Sequence, residues 1–240
     1  MKTILITGAS RGLGRALAEE FHKKKYQVIA SARNINDLND LEVFQKVSLD
    51  IVNEDSILKA KEKIKDVDII INNAAISISG AIEAINVEAA IEVFNVNLFG
   101  AIRIFQAFTP MMRTKRNGLI VNISSGAALQ SPPLQGIYAA SKAAFDRVCE
   151  AYRIEVQPFG ISVMQIHSTG IATQMRNKQT IFTNENYIKI TDRVKQMEQN
   201  MTGVLPEILA KVIANNIERR PLNTFVRVQD LMAEINTVVE

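Results

Sequence analysis

The chain has 240 residues, 47% of them hydrophobic and 22% charged, and 28 Lys+Arg against 25 Asp+Glu leave a formal net charge of +3. That length fits one full domain or two small ones, and the composition excludes disorder as the main description. One cysteine excludes an internal disulfide framework and a cysteine-cluster metal site, two distant histidines speak against a histidine site, and three surplus positive charges without a basic tract give nucleic acid little to bind.

In chain order, the apolar run at 4–6 is too short for a signal-peptide core and meets glycine at once, so it reads as a first strand. A helical pattern follows over 12–25, then strands at 28–30 and 47–49. A helix at 54–65 leads to a strand at 69–71, and a long helical pattern spans 88–113. After it come a strand at 119–123, a helix at 136–157, a strand at 161–166, a helix at 206–219 and a strand at 225–228. The strands are β-branched and apolar on both faces, which suits a parallel sheet covered on both sides. Strand–helix alternation then predicts an α/β, doubly wound Rossmann fold: a single domain over 1–240, with a seven-stranded mainly parallel sheet and helices on both faces. No apolar stretch reaches eighteen residues, so no membrane span is expected, and a soluble cytoplasmic protein is. The polar segment 171–204 has two readings, a substrate lid or an excursion of surface helices.

The first strand ends in Thr7-Gly8-Ala9-Ser10-Arg11-Gly12-Leu13-Gly14, just before a helix. Glycines there allow a sharp turn and the close approach of a pyrophosphate, and the helix N-terminus adds free N–H groups and a positive dipole end. The spacing G-x-x-x-G-x-G differs from the dinucleotide fingerprint G-x-G-x-x-G. Further along stand Asn72-Asn73-Ala74-Ala75, then Asn97 within Asn95–Gly100, then Ile123-Ser124-Ser125, then Tyr138-Ala139-Ala140-Ser141-Lys142. Ser125 lies thirteen residues before Tyr138. In this order and at these elements, the motifs resemble those of the short-chain dehydrogenase/reductase family over essentially the whole chain.

Tyr138 and Lys142 are four residues apart on one helix and share a face. A neighbouring ammonium favours phenolate, so Tyr138 gains the ability to trade a proton with a carbonyl or alcohol oxygen near neutral pH. The resemblance implies that Tyr138 is the acid/base, that Lys142 also binds the nicotinamide ribose, that Ser125 hydrogen-bonds the substrate oxygen, and that Asn97 holds a water. Ser124 is a possible substitute for Ser125, and Asn97 has the alternative of simply capping or bending its helix. Hydride chemistry on the cofactor requires no metal. By the same resemblance the cofactor contacts are Gly8, Ser10, Arg11, Gly12, Leu13, Gly14, Arg33, Asp50, Ile51, Asn73, Ala74, Tyr138, Lys142, Gly170, Ile171 and Thr173. Ala32 occupies the usual acidic position after the second strand, with Arg33 next and Arg11 in the glycine turn. Two guanidinium groups there suit a 2′-phosphate and favour NADP(H) over NAD(H).

Two positions depart from the family pattern: Ala75 stands for a glycine and Thr169 for a proline. The stretch 127–134 is largely apolar and lacks a cation, which predicts an apolar aldehyde, ketone or secondary alcohol as substrate. An NADP(H)-binding sensor of the same fold with little turnover is the alternative. His167 and Cys149 are expected to be packing residues. The resemblance implies a homodimer or homotetramer through the helices at 88–113 and 136–157.

Overall fold

In the computed structural model, residues 1–168, 180–199, 203–219, 225–226 and 235 are described. The first strand, β1 (Thr3–Ile6), is buried on both faces, as its β-branched run predicts. It pairs in parallel with β2 (Gln27–Ala32), and helix α1 (Gly12–Lys23) makes the crossover. Strand β3 (Gln45–Ser48) lies two residues earlier than the apolar run at 47–49 suggests. Its register against β2, with Ile29 opposite Gln45 and Ala32 opposite Ser48, recruits polar residues at the sheet edge. Helix α2 (Glu54–Lys63) is capped by Asn53, whose side chain accepts the Ser56 N–H. Strand β4 (Ile69–Asn72) returns to the other side of β1.

Past β4 the chain forms a two-residue strand, β5 (Ser79–Gly80), and then a long helix in two parts. Helix α3 (Val87–Phe94), capped by the Asn86 side chain, runs into a wide π-helical turn at Asn95–Gly100 and on into α4 (Ala101–Lys115). A π-turn inserts an extra residue into the helical ladder and re-aims the side chains it contains. The central strand β6 (Gly118–Ser125) precedes the longest helix, α5 (Gly136–Val156), and β7 (Ile161–Ser168) pairs with β6 along its whole length.

The last elements are β8 (Ile181–Phe182), which pairs with β5; α6 (Ile188–Gln199); α7 (Pro206–Arg219); and β9 (Phe225–Val226), which pairs with β7. Among the described residues the main sheet therefore has seven strands, ordered β3-β2-β1-β4-β6-β7-β9 and parallel throughout. The expected Rossmann architecture is present, with the strand order reversing beside β1. Two apolar layers flank it. One, with Leu17, Phe21, Leu209 and Ile213, packs α1 and α7 on one face, and the other, with Ile57, Ile104, Phe108 and Phe145, packs α2, α4 and α5 on the opposite face. Within 171–204, the described residues form β8 and α6, so surface structure occupies part of the segment that reads as a lid.

Candidate functional site

A cleft of about 700 Å³ opens at the C-terminal ends of the strands, where β1 and β4 part company in strand order. Its lining runs from the glycine turn past Arg33 and Asp50 to Tyr138 and Lys142. The turn after β1 has no slack. Gly8 sits at φ +68°, and a Cβ on it would lie 2.9 Å from Ala74 Cα. Gly12 is also left-handed, at φ +56°. A Cβ on Gly14 would overlap the Gly8 carbonyl oxygen and Asn73 Nδ2.

Thr7 and Asn73 stitch this turn to the end of β4. Thr7 Oγ1 accepts the N–H groups of Asn73 at 3.0 Å and Ala74 at 3.1 Å, and Asn73 Nδ2 donates to the Thr7 carbonyl at 3.0 Å. Helix α1 begins without a side-chain cap and without an acid in its first turn. An uncapped N-terminus behind a glycine cradle provides N–H donors and positive potential, which fits a pyrophosphate. The chain therefore has the donor set and the space for a dinucleotide.

At the outer rim, Arg11 and Arg33 are exposed and line the cleft, and Ala32, the last residue of β2, is buried. Ser10, Leu13, Ile51 and Ala74 join the lining. Asp50 does too, with its Oδ1 accepting the Val52 N–H at 3.1 Å. Ala75 also lines the cleft, and its φ is not positive, so its methyl group meets no backbone penalty. Gly170, Ile171 and Thr173, together with Thr169, lie outside the described residues.

At the inner end, α5 presents Tyr138 and Lys142 to the cleft. Lys142 is 4% exposed, and its Nζ donates to the Ile123 carbonyl at 3.0 Å. Burial pulls its pKa down to about 8, against an opposing pull from Asp146 and Cys149. The two serines at the end of β6 differ in place and partner: Ser124, and not the expected Ser125, is among the residues lining the cleft. Ser124 is buried and donates to Asp146 at 2.5 Å. Ser125 is half-buried, and its oxygen accepts the Ala127 N–H at 3.1 Å, which leaves its hydroxyl proton to be donated elsewhere. The spacing to Tyr138 points to Ser125 and the cleft lining to Ser124, whose hydroxyl proton is already given to Asp146.

Asn97 lies in the π-turn and does not reach the cleft wall. Its Oδ1 accepts the Ile76 N–H and its Nδ2 donates to the Ile76 carbonyl, both at 2.9 Å. The second amide proton goes to Ser141 Oγ at 3.0 Å, and Ser141 donates to the Tyr138 carbonyl at 2.7 Å. Both amide protons are spent on fixing the Ile76 loop and the first turn of α5, so Asn97 does more than bend its helix.

The stretch 127–134 is not part of the cleft wall among the described residues. It lies over β5, where the Leu134 carbonyl accepts the Gly80 N–H at 2.7 Å and Leu134 adopts φ +64°. Sequence reasoning missed Asp146, Gln165 and the partnership of His167. The available signal was an acid four residues after Lys142 on the same helix. Cys149 is buried, as expected, and accepts from Asn122 Nδ2. Among the described residues no group of side chains could hold a metal ion, and no helix is long and apolar enough to cross a membrane.

Comparison with known proteins agrees with this geometry. The chain is 31% identical over 229 residues to a 3-ketodihydrosphingosine reductase from Bacteroides thetaiotaomicron, covering 90% of this chain and 84% of that one. It is 33% identical over 185 residues to an NADPH-dependent 1-acyldihydroxyacetone phosphate reductase from Schizosaccharomyces pombe, a match covering 74% of this chain but only 62% of that relative's length. A solved short-chain dehydrogenase from Streptomyces avermitilis superposes with a TM-score of 0.85 at 28% identity, covering 99% of this chain and 92% of that one. The profile of the short chain dehydrogenase family matches residues 2–184. With that match laid over a Rossmann sheet and a dinucleotide-shaped cleft, the chain belongs to the short-chain dehydrogenase/reductase family of NAD(P)-dependent oxidoreductases.

Proposed function

We propose that this protein is an NADP(H)-dependent oxidoreductase that interconverts a ketone or aldehyde with an alcohol on a small, largely apolar substrate. The observation that carries the reading is Lys142, a buried cation with a depressed pKa, one helical turn from Tyr138 on the wall of the cleft. A bound nicotinamide dinucleotide supplies or accepts the hydride. In the reducing direction Tyr138 gives its phenolic proton to the carbonyl oxygen, and the positive charge of Lys142 stabilises the phenolate left behind. Ser125 donates its hydroxyl proton to the same oxygen and stabilises the charge that develops there. Asn97 positions both Ile76 and, through Ser141, the turn of α5 that carries Tyr138.

For the cofactor, Gly8, Ser10, Gly12, Leu13 and Gly14 cradle the pyrophosphate, with Asp50, Ile51, Asn73 and Ala74 along the rest of the wall. Gly170, Ile171 and Thr173 are assigned to the nicotinamide end on sequence alone. Arg11 and Arg33 favour a 2′-phosphate by charge and by their multiple donors, and the absence of an acid at Ala32 removes the usual partner of a free ribose hydroxyl pair. The NADPH-dependent relative supports the same preference. The position of 127–134 away from the cleft wall removes the support its composition would have given to an apolar substrate, which leaves the relative named 3-ketodihydrosphingosine reductase as support for a ketone. A homodimer or homotetramer is proposed through the α3–α4 and α5 faces, where Val87, Ile91, Phe99 and Ile154 are exposed.

The test is a fluorescence titration with NADPH and with NADH, followed by turnover of a panel of apolar aldehydes and ketones at the cofactor absorbance band. Tighter NADPH binding with turnover is the expected result. Tight binding with no turnover across the panel would shift the reading to a sensor. Failure to bind either cofactor would overturn it.

A further inference from the structure

Under the inner end of the cleft, α5, β6 and β7 enclose a polar cluster that the proposed chemistry leaves unused. Asp146 lies one turn beyond Lys142 on α5 and is 3% exposed. Its Oδ1 accepts from Ser124 Oγ at 2.5 Å and from Gln165 Nε2, and its Oδ2 accepts from His167 Nε2 at 2.7 Å. Three donors from two strands converge on one carboxylate, a set of partners that suits the anion. His167 Nδ1 is buried without a partner. A carboxylate oxygen accepts, so this bond needs a proton on Nε2. Lys142 lies one helical turn before Asp146 on the same face of α5.

Among the described residues, several elements bring charged or polar groups towards Lys142. On α5 they are Asp146 and Cys149, with Tyr138 one turn away. Burial holds the Cys149 thiol well above its ordinary pKa, so it brings no charge near neutral pH. Strand β7 brings His167, which acts through Asp146. Strand β6 brings the Ile123 carbonyl and ends in Ser124 and Ser125, with no charged side chain along it. The π-turn brings the Asn97 amide by way of Ser141, and α3 brings Glu92 to the cleft wall. The Phe145 ring lies with its centroid 5.7 Å from Lys142 Nζ. Asp146 is thus the buried anion in this set.

We propose that Asp146 is a positioning residue for Lys142: its carboxylate, clamped by Ser124, Gln165 and His167, holds Lys142 as a cation beside Tyr138. The idea rests on the reading of Tyr138 and Lys142 as the acid/base pair, and the experiment separates the two. A lysine with a folded pKa of about 8 and an ordinary value of 10.5 binds fewer protons folded than unfolded between those two pH values. Stability drawn from this group therefore rises as pH goes from 8 to 10.5. Denaturant unfolding from pH 6 to 10 in the wild type, Lys142→Met, Asp146→Asn and the double variant isolates that rise without any cofactor.

In Asp146→Asn the rise should begin on the order of one pH unit lower. The alkaline limb of kcat/KM should move by the same amount in the same direction. Should Asp146→Asn fail to fold, Asp146→Ser removes the charge while facing the three donors with an acceptor, and it is measured instead. A folded charge-free variant that is merely less stable, with both curves unmoved, overturns the proposal and leaves the cluster as packing. A moved stability curve in a protein that turns over no carbonyl keeps the coupling and overturns the acid/base reading. Turnover with unmoved curves does the reverse.

Discussion

Two regions of the cleft carry cations, and the protein treats them in opposite ways. At the inner end Lys142 is buried, hydrogen-bonded to a carbonyl and held near an anion, and its pKa falls to about 8. At the rim Arg11 and Arg33 stand in solvent as permanent charges. Burial makes a charge adjustable because small changes in its surroundings are felt through a low dielectric, whereas water and salt screen an exposed one. On the proposed reading, the inner end governs proton movement, and the rim governs which dinucleotide binds and how tightly. That division is open to experiment.

The largest effect belongs to Tyr138→Phe. It deletes one hydroxyl and leaves the ring, so NADPH binding should hold while kcat falls about 10²- to 10⁴-fold, the usual contribution of a positioned acid or base. Steady-state turnover beside a cofactor titration checks this. A kcat within tenfold of the wild type would mean that the proton moves elsewhere.

Next comes Gly14→Ala, which probes the backbone that joins the two regions. The new methyl group would overlap the Gly8 carbonyl and the Asn73 amide, and backbone cannot rotate away as a flexible side chain could. Overpacking of this kind costs about 1–3 kcal/mol. Urea unfolding should show that loss, and NADPH affinity should fall with it because the displaced turn is the proposed pyrophosphate cradle. Normal affinity would detach the cradle from the cofactor.

A smaller change is expected from Arg33→Ser. An exposed charge-assisted contact to a phosphate is worth about 1.4 kcal/mol, or tenfold in Kd, after screening. NADPH affinity should weaken by about that factor, NADH affinity should not change, and the gap between the cofactors should narrow as salt rises. An equal loss for both cofactors would place Arg33 on the adenine rather than on the 2′-phosphate.

The sequence made the rim and the sheet readable and the inner end only partly so. Glycines at 8, 12 and 14 announce a backbone conformation, and β-branched runs announce buried strands, because both signals are local. Tyr138 and Lys142 are legible because a helix fixes their separation. The Asp146 cluster is not: it joins α5 to Ser124, Gln165 and His167 through contacts that no spacing encodes, and His167 in isolation reads as packing. The choice between Ser124 and Ser125 has the same character, since only the tertiary partner of each hydroxyl separates them. In 171–204 the surface helix α6 was one of two open readings, because its apolar residues are too scattered to fix a face.

The smallest effect should come from the opposite end of the sheet, away from the cleft. Lys115 bonds Asp66 and Asp68, each at 2.6 Å, and Asp68 also accepts the Thr3 N–H at 2.8 Å. Burial pulls the Lys115 pKa down, but the two carboxylates outweigh it and hold the lysine above its ordinary 10.5. Burial pushes Asp68 up, but Lys115 and the Thr3 N–H outweigh it and hold the acid below its ordinary 3.8. A lowered acid contributes stability above its unfolded value and loses it as pH falls, while a raised lysine contributes below its unfolded value and loses it as pH rises. Lys115→Met should therefore cost about 1 kcal/mol across the window from 3.8 to 10.5, fading outside it and shrinking in high salt. Neither kcat nor NADPH affinity should move. If turnover fell with this bridge, the strand ends would be coupled through the sheet, and the inner end of the cleft could no longer be treated as a locally tuned site.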